Sequence, residues 1–139
     1  MESLFDPNQF INLTPHDVHI HTEDGVNTIP RHNDRGLRTQ IVPPQTWGNL
    51  YGVKLYVPME HDGFEPEDRK LISEINRTGL HIICSELAAR ELIRVYRNRM
   101  NVCILVPHSG PGMVVRDDQG RIMGVRGLQL FYLSPNLRN

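Results

Sequence analysis

Residues 102–132, VCILVPHSGPGMVVRDDQGRIMGVRGLQLFY, decide how this chain is read. Val102, Cys103, Ile104, Leu105 and Val106 form an unbroken apolar run, the pattern of a strand covered on both faces. Pro107 ends the run, because proline cannot donate to a ladder, and Gly110-Pro111-Gly112 keeps the following backbone irregular. Met113 to Arg116 leads into Asp117-Asp118-Gln119-Gly120, and Arg121 to Arg126 returns. Residues 114–125 therefore read as a tight β-hairpin. Three short strands and two turns are expected here. Arg116 and Arg126 fall on the two arms, with Asp117 beside the first; if pairing brings the guanidiniums together, they form a site suited to an anion.

Upstream of this stretch, Leu80 to Cys84 (LHIIC) is a second buried strand, and Ser85 is placed to N-cap a helix with Glu86 in its first turn. That helix, Glu86 to about Arg97, carries Leu87, Ala88, Leu92, Val95 and Tyr96 on one stripe. Glu67 to Arg77 shows helical spacing at Leu71, Ile72 and Ile75 and stops at Thr78-Gly79. Tyr51 to Val57 alternates as one strand, Leu37 to Val42 as another, and Pro58 to Pro66 reads as a loop. Nearer the start, Phe10 to Leu13 is a short strand, Thr14-Pro15-His16-Asp17 a turn, and Val18–His21 and Val26–Ile29 the arms of a hairpin around Glu23-Asp24-Gly25. Residues 1–9 read as a flexible extension and 133–139 as a tail. The sum is a single α+β domain over 1–139, mainly antiparallel sheet with one or two helices on one face.

Composition narrows the function. Fifteen basic and sixteen acidic residues leave a formal charge of −1, so no global field draws a nucleic-acid polymer. Thirteen of the basic residues are arginines, against Lys54 and Lys70. Arginine forks recognise phosphate and carboxylate bidentately, although a GC-rich genome produces the same bias without any function. Cys84 and Cys103 lie inside buried strands and, with no signal peptide, read as reduced core residues of a cytoplasmic protein. No run reaches the roughly 18 apolar residues of a membrane span.

His16, His19 and His21 invite a metal or histidine-dependent hydrolase reading, since His19 and His21 share a strand face; a solvent-facing strand carries histidines equally well. Ser109 with His108, and Cys84 with His81, are weak nucleophile pairs, and Gly110-Pro111-Gly112 is no phosphate loop because its prolines remove amides. The arginines are the stronger lead. Arg116 and Arg126 on the hairpin, Arg94 and Arg97 on the helix, and Arg31, Arg35 and Arg38 in the loop would converge on a phosphate-bearing ligand. Helix amides at Ser85 would add donors, and Asp117 would take a hydroxyl or amine. Against this stands ordinary pairing of these arginines with Asp117, Asp118, Glu86 and Glu91 on a solvated face.

Two motifs near opposite ends carry a family likeness. Ile11-Asn12-Leu13-Thr14-Pro15-His16, and Val106-Pro107 through Gly110-Pro111, Val115-Arg116-Asp117, Gly120, Ile122 and Gly124-Val125-Arg126, resemble the opening and closing patterns of small phage and prophage proteins of the first Thoeris anti-defence type. The strand-then-Ser85-helix block resembles them too, and the likeness spans well over half the chain. Residues 31–66 diverge, and His108 stands where that pattern has an aspartate. The resemblance implies a non-enzymatic sponge, without cofactor or metal, that forms a homo-oligomer, a dimer or a trimer of dimers. Its ligands would be cyclic nucleotide immune signals, such as glycocyclic ADP-ribose and cyclic trinucleotides. It implies Asn12, Thr14, His16, Arg116, Asp117 and Arg126 as contacts to ligand or to a neighbouring subunit. Tyr51, Tyr56 or Tyr96 would stack on adenine.

Overall fold

The structure, a computed structural model, describes residues 7–42, 45–57 and 60–137. In chain order the elements are β1 (Phe10–Asn12), β2 (Val18–Thr22), β3 (Gly25–Ile29), β4 (Thr39–Val42), β5 (Thr46–Leu50), β6 (Val53–Tyr56), β7 (Glu60–Phe64) and α1 (Pro66–Thr78). They continue with β8 (His81–Ile83), α2 (Glu86–Tyr96), β9 (Ile104–Pro107), β10 (Val114–Arg116), β11 (Ile122–Val125) and β12 (Leu128–Tyr132). This is an α+β fold in which most strand pairs are antiparallel.

The apolar runs of β8 and β9 follow from burial on two faces. A central sheet has the order β1-β8-β9-β12, with β1, β8 and β9 parallel and β12 antiparallel. The crossover from β8 to β9 runs through α2, which is what a parallel pair requires. Ile82, Ile104 and Val106 join Ile72 and Ile75 of α1 and Ala88, Ala89 and Leu92 of α2 in the main core. Ile83 and Leu105, one residue out of phase, face the other way and meet Val18, Ile20 and Val125. Those three belong to a second sheet, β10-β11-β2-β3. Three layers result: helices, central sheet, second sheet.

Local chemistry closes the ends. The Ser85 hydroxyl accepts the Ala88 N–H at 3.2 Å and caps α2, the role its position predicts. Gly79, at φ 83°, ends α1 in the left-handed conformation. Cys84 and Cys103 are free and buried in the core, and burial pushes the Cys84 thiol up to about 12.

Four expectations change. The last segment, Leu128–Tyr132, is a strand in its own right, pairing Leu128 to Pro107 and Leu130 to Leu105; the 102–132 stretch therefore holds four strands. Tyr51–Val57 is not one strand, because Tyr51-Gly52 is the turn of a separate two-stranded hairpin, β5–β6. The loop expected over 58–66 contains β7, whose partner is β4. Finally, the sheet is divided into two four-stranded sheets and two two-stranded ones. Expectations for residues 1–6, for Pro43-Pro44, for Pro58 and for the last two residues of the tail lie outside the described residues.

Candidate functional site

The INLTPH segment folds as a clasp. Asn12, buried at the end of β1, donates through Nδ2 to the carbonyls of His16 and Ile29, both at 2.9 Å. Its Oδ1 accepts the Thr14 N–H at 3.0 Å and lies 2.7 Å from the Thr14 hydroxyl. That hydroxyl is also 2.7 Å from the His16 carbonyl. Asn12 and Thr14 are thus engaged within the chain, and their effect is to present His16 and Asp17 at the surface. Asp17 Oδ1 accepts the Arg31 backbone N–H at 3.0 Å, drawing the start of the 30–36 loop to the same place.

The C-terminal hairpin supplies the opposite wall. β11 runs parallel to β2, with Val125 opposite Ile20. This close approach depends on Gly124: at φ 154° it lies so near β2 that a Cβ there would meet the His19 carbonyl oxygen at 2.3 Å. His21 Nε2 donates to the Met123 carbonyl at 3.3 Å, joining residues 102 positions apart. The product is an open cleft of about 520 Å³ lined by His16, Asp17, His19, Arg31 and the Ile122–Gly124 segment. A neighbouring recess of about 200 Å³ adds Thr14 and Pro107.

Charge in this cleft is lightly held. Arg31 Nε donates to Asp34 Oδ1 at 2.7 Å and its Nη1 lies 3.8 Å from Asp17 Oδ1, but the Asp34 side chain is 90% exposed and that of Asp17 40%. Such pairs contribute roughly 0–1 kcal/mol, so an incoming anion can displace one. His19 Nδ1 lies 2.8 Å from the Thr28 hydroxyl across the β2–β3 ladder, and His21 faces Met123. The three histidines do not gather, and among the described residues no three His, Cys, Asp or Glu side chains are grouped to hold a metal.

The arginines do not converge. Arg116 pairs opposite Ile122 and donates to the Gly120 carbonyl at 2.8 Å, toward the turn. Arg126 bonds through its backbone to Met113 at the other end of the hairpin, roughly 10 Å along the strand. Asp117 closes the turn: Oδ1 accepts the N–H groups of Gln119 and Arg121, and Oδ2 the Arg121 Nε, all at 2.9 Å. These bonds, the Arg121 N–H foremost, hold its carboxyl below the usual carboxylate range. Arg35 bridges Asp68 and Glu65 at 2.7 Å each and fixes the loop to the start of α1. Arg94 pairs with Glu91, a buried carboxylate that also accepts the Gly63 N–H. Tyr96 packs on Phe64 with Arg99 over its ring.

Arg94 and Arg97 instead meet Arg90, Ile93 and Phe131 around a second cleft, of about 450 Å³, on the outer face of α2 and β12. There Arg90 lies 5.5 Å over the Phe131 ring. Of the expected site residues, His16 and Arg31 line the first cleft, Thr14 lines the neighbouring recess, and Arg94 and Arg97 line the second cleft. His19 and Arg31 entered the sequence reading only within the metal and arginine sets, and the Ile122–Met123 shelf was missed. The one signal for the shelf was Gly124 inside a strand, which marks a close backbone approach. Comparison with protein-family models, with curated proteins and with solved structures finds no match.

Proposed function

We propose that this protein binds and holds, without turnover, a small cyclic nucleotide of the glycocyclic ADP-ribose or cyclic trinucleotide class. It would act as a homo-oligomeric anti-defence sponge in the cytoplasm of an infected bacterium. One observation carries the reading: the two motifs that give the resemblance, INLTPH and the Arg116–Arg126 hairpin, wall the same cleft. Its volume, about 520 Å³, falls within the range of small-molecule sites. Two imidazoles and a weakly paired guanidinium offer donors to phosphate, and the Ile122–Met123 shelf, 64% and 48% exposed, offers an apolar surface to a base or ribose. Asp17 Oδ1 is engaged by the Arg31 amide and lies 3.8 Å from the Arg31 guanidinium.

The test is to incubate the protein with cyclic ADP-ribose isomers and cyclic oligonucleotides, remove free ligand, denature by heat and identify what is released by mass spectrometry. Intact ligand is expected from the native protein, and at least tenfold less from Arg31→Ala with an unchanged circular dichroism spectrum. A chemically altered product would instead establish a hydrolase and direct attention to His16 and His19. No retained ligand would remove the sponge reading.

A further inference from the structure

The two edges of the central sheet are not alike. β1, at one edge, is three residues long, and its last residue, Asn12, is bridged by Arg31. β12, at the other, reads Leu128-Gln129-Leu130-Phe131-Tyr132, with no proline and no charged residue, and among the described residues no strand pairs on its outer side. Natural sheets shield such an edge with lysine, proline or a covering segment. The His108 N–H donates to the Gly127 carbonyl at 3.0 Å, and Leu128, Gln129 and Leu130 stand opposite Pro107, Val106 and Leu105. Antiparallel ladders alternate bonded and non-bonded pairs. Gln129 is therefore tied to Val106, and the N–H and C=O groups of Leu128 and Leu130 point outward. The register shifts at Phe131, which packs toward the helix layer with Arg90 lying 5.5 Å over its ring.

Positive charge gathers above this edge. Arg90, Arg94 and Arg97 line the cleft with Ile93 and Phe131, and acids hold them unevenly. Arg94 pairs with buried Glu91, whereas Arg90 stands 3.7 Å from Glu86 with both side chains more than half exposed. The Arg97 guanidinium has no acidic partner among the described residues.

We propose that the β12 edge accepts an extended acidic segment of another protein, added to the sheet as a fifth strand with alternate carboxylates under Arg90, Arg94 and Arg97. In this mode main-chain bonds, here through Leu128 and Leu130, give affinity, and alternate side chains give specificity. The spacings match. The three arginine positions are about 6 and 4.5 Å apart along the helix, and residues on one face of a strand are about 6.6 Å apart. A Glu-x-Glu or Asp-x-Asp pattern thus sets its carboxylates within reach of arginine forks, which take them bidentately. Charge selects the occupant. A second copy pairing through its own β12 would bring two arginine sets together across the two-fold axis, and like charges oppose that contact; an acidic strand is drawn to it. None of the residues of the first cleft takes part, and the test contains no nucleotide.

The probe is a fluorescein-labelled peptide of alternating glutamate and valine, about ten residues long. Native protein should raise its anisotropy, and amide hydrogen exchange at Leu128 and Leu130 should slow about tenfold or more on binding. A lysine–valine counterpart should bind about tenfold more weakly or worse. Arg90→Glu with Arg97→Glu, both at exposed positions, should reverse that preference, with circular dichroism verifying the fold. Two further peptides are N-methylated, one on the glutamate amides and one on the valine amides. Only one set of amides faces β12, so one of the two should bind about tenfold more weakly than the other. No anisotropy change, unaltered exchange at Leu128 and Leu130, equal binding of the lysine peptide, equal binding of the two methylated peptides, or an unaffected arginine variant would each overturn the assignment. Displacement of the peptide by equimolar inorganic pyrophosphate would show a small-anion site instead. Protection of Leu128 and Leu130 before peptide is added would show a second copy seated on the edge. Either result would also overturn it.

Discussion

The central sheet and the β5–β6 arm draw on similar residues and end at opposite extremes of exposure. Ile82, Ile83 and Ile104 are wholly buried, whereas Trp47, Tyr51 and Val53 are more than half exposed. The difference lies in what covers each strand. β8 and β9 are enclosed by helices on one side and the second sheet on the other; among the described residues β5 and β6 pair as strands only with each other. The same apolar side chain is therefore a core residue in one region and a solvent-exposed one in the other. Stability of the chain resides in the first region.

Matched truncations test this contrast most severely. Leu92→Ala removes a fully buried side chain and should cost about 2–5 kcal/mol in urea unfolding. Leu50→Ala in the arm should stay within about 0.5 kcal/mol. A comparable loss in both would show that the arm packs on its own protomer. Next is the clasp that joins core to cleft. Asn12→Ala removes the partner of the Thr14 N–H and of the Ile29 carbonyl, while the His16 carbonyl keeps the Thr14 hydroxyl, at about 1–3 kcal/mol for each buried group left unsatisfied. Chemical shifts of His16 and Asp17 should change with it, while the Trp47 emission should not.

The smallest effect is a pH dependence confined to the core. Burial holds His81 below its ordinary value of 6.5, and its neutral Nδ1 accepts the Cys103 N–H at 2.9 Å. The unfolded chain takes up the proton first, so stability is full above 6.5 and declines as pH falls below it. The urea midpoint should drop on mild acidification, and His81→Gln, which keeps an acceptor without titrating, should flatten that slope. An unchanged slope would show that His81 does not report the core.

Much of the fold was legible because its signals are local. The run from Ile104 to Val106, the Ser85 cap, the Gly79 stop and the Asp117–Gly120 turn each follow from neighbouring residues, and each takes the place expected of it. Tyr51–Val57 misled because alternation continues through a two-residue turn whose first residue is a tyrosine in a conformation that favours asparagine or glycine. Arg116 and Arg126 misled because a hairpin's sequence gives its arms but not the register between them; one bulge after Val115 and the return at Met113 set them apart.

By itself, then, the sequence determined the α+β class, the two helices, the buried strands and the short strand and turn of the INLTPH segment, because periodicity, capping and turn chemistry act over a few residues. Only the tertiary structure decided which surfaces meet. It brought His16, His19 and Arg31 against Ile122–Gly124, divided the arginines between two clefts and left the β5–β6 arm uncovered. Those outcomes depend on strand order and on one close approach at Gly124, which are contacts across about a hundred residues that no local pattern encodes.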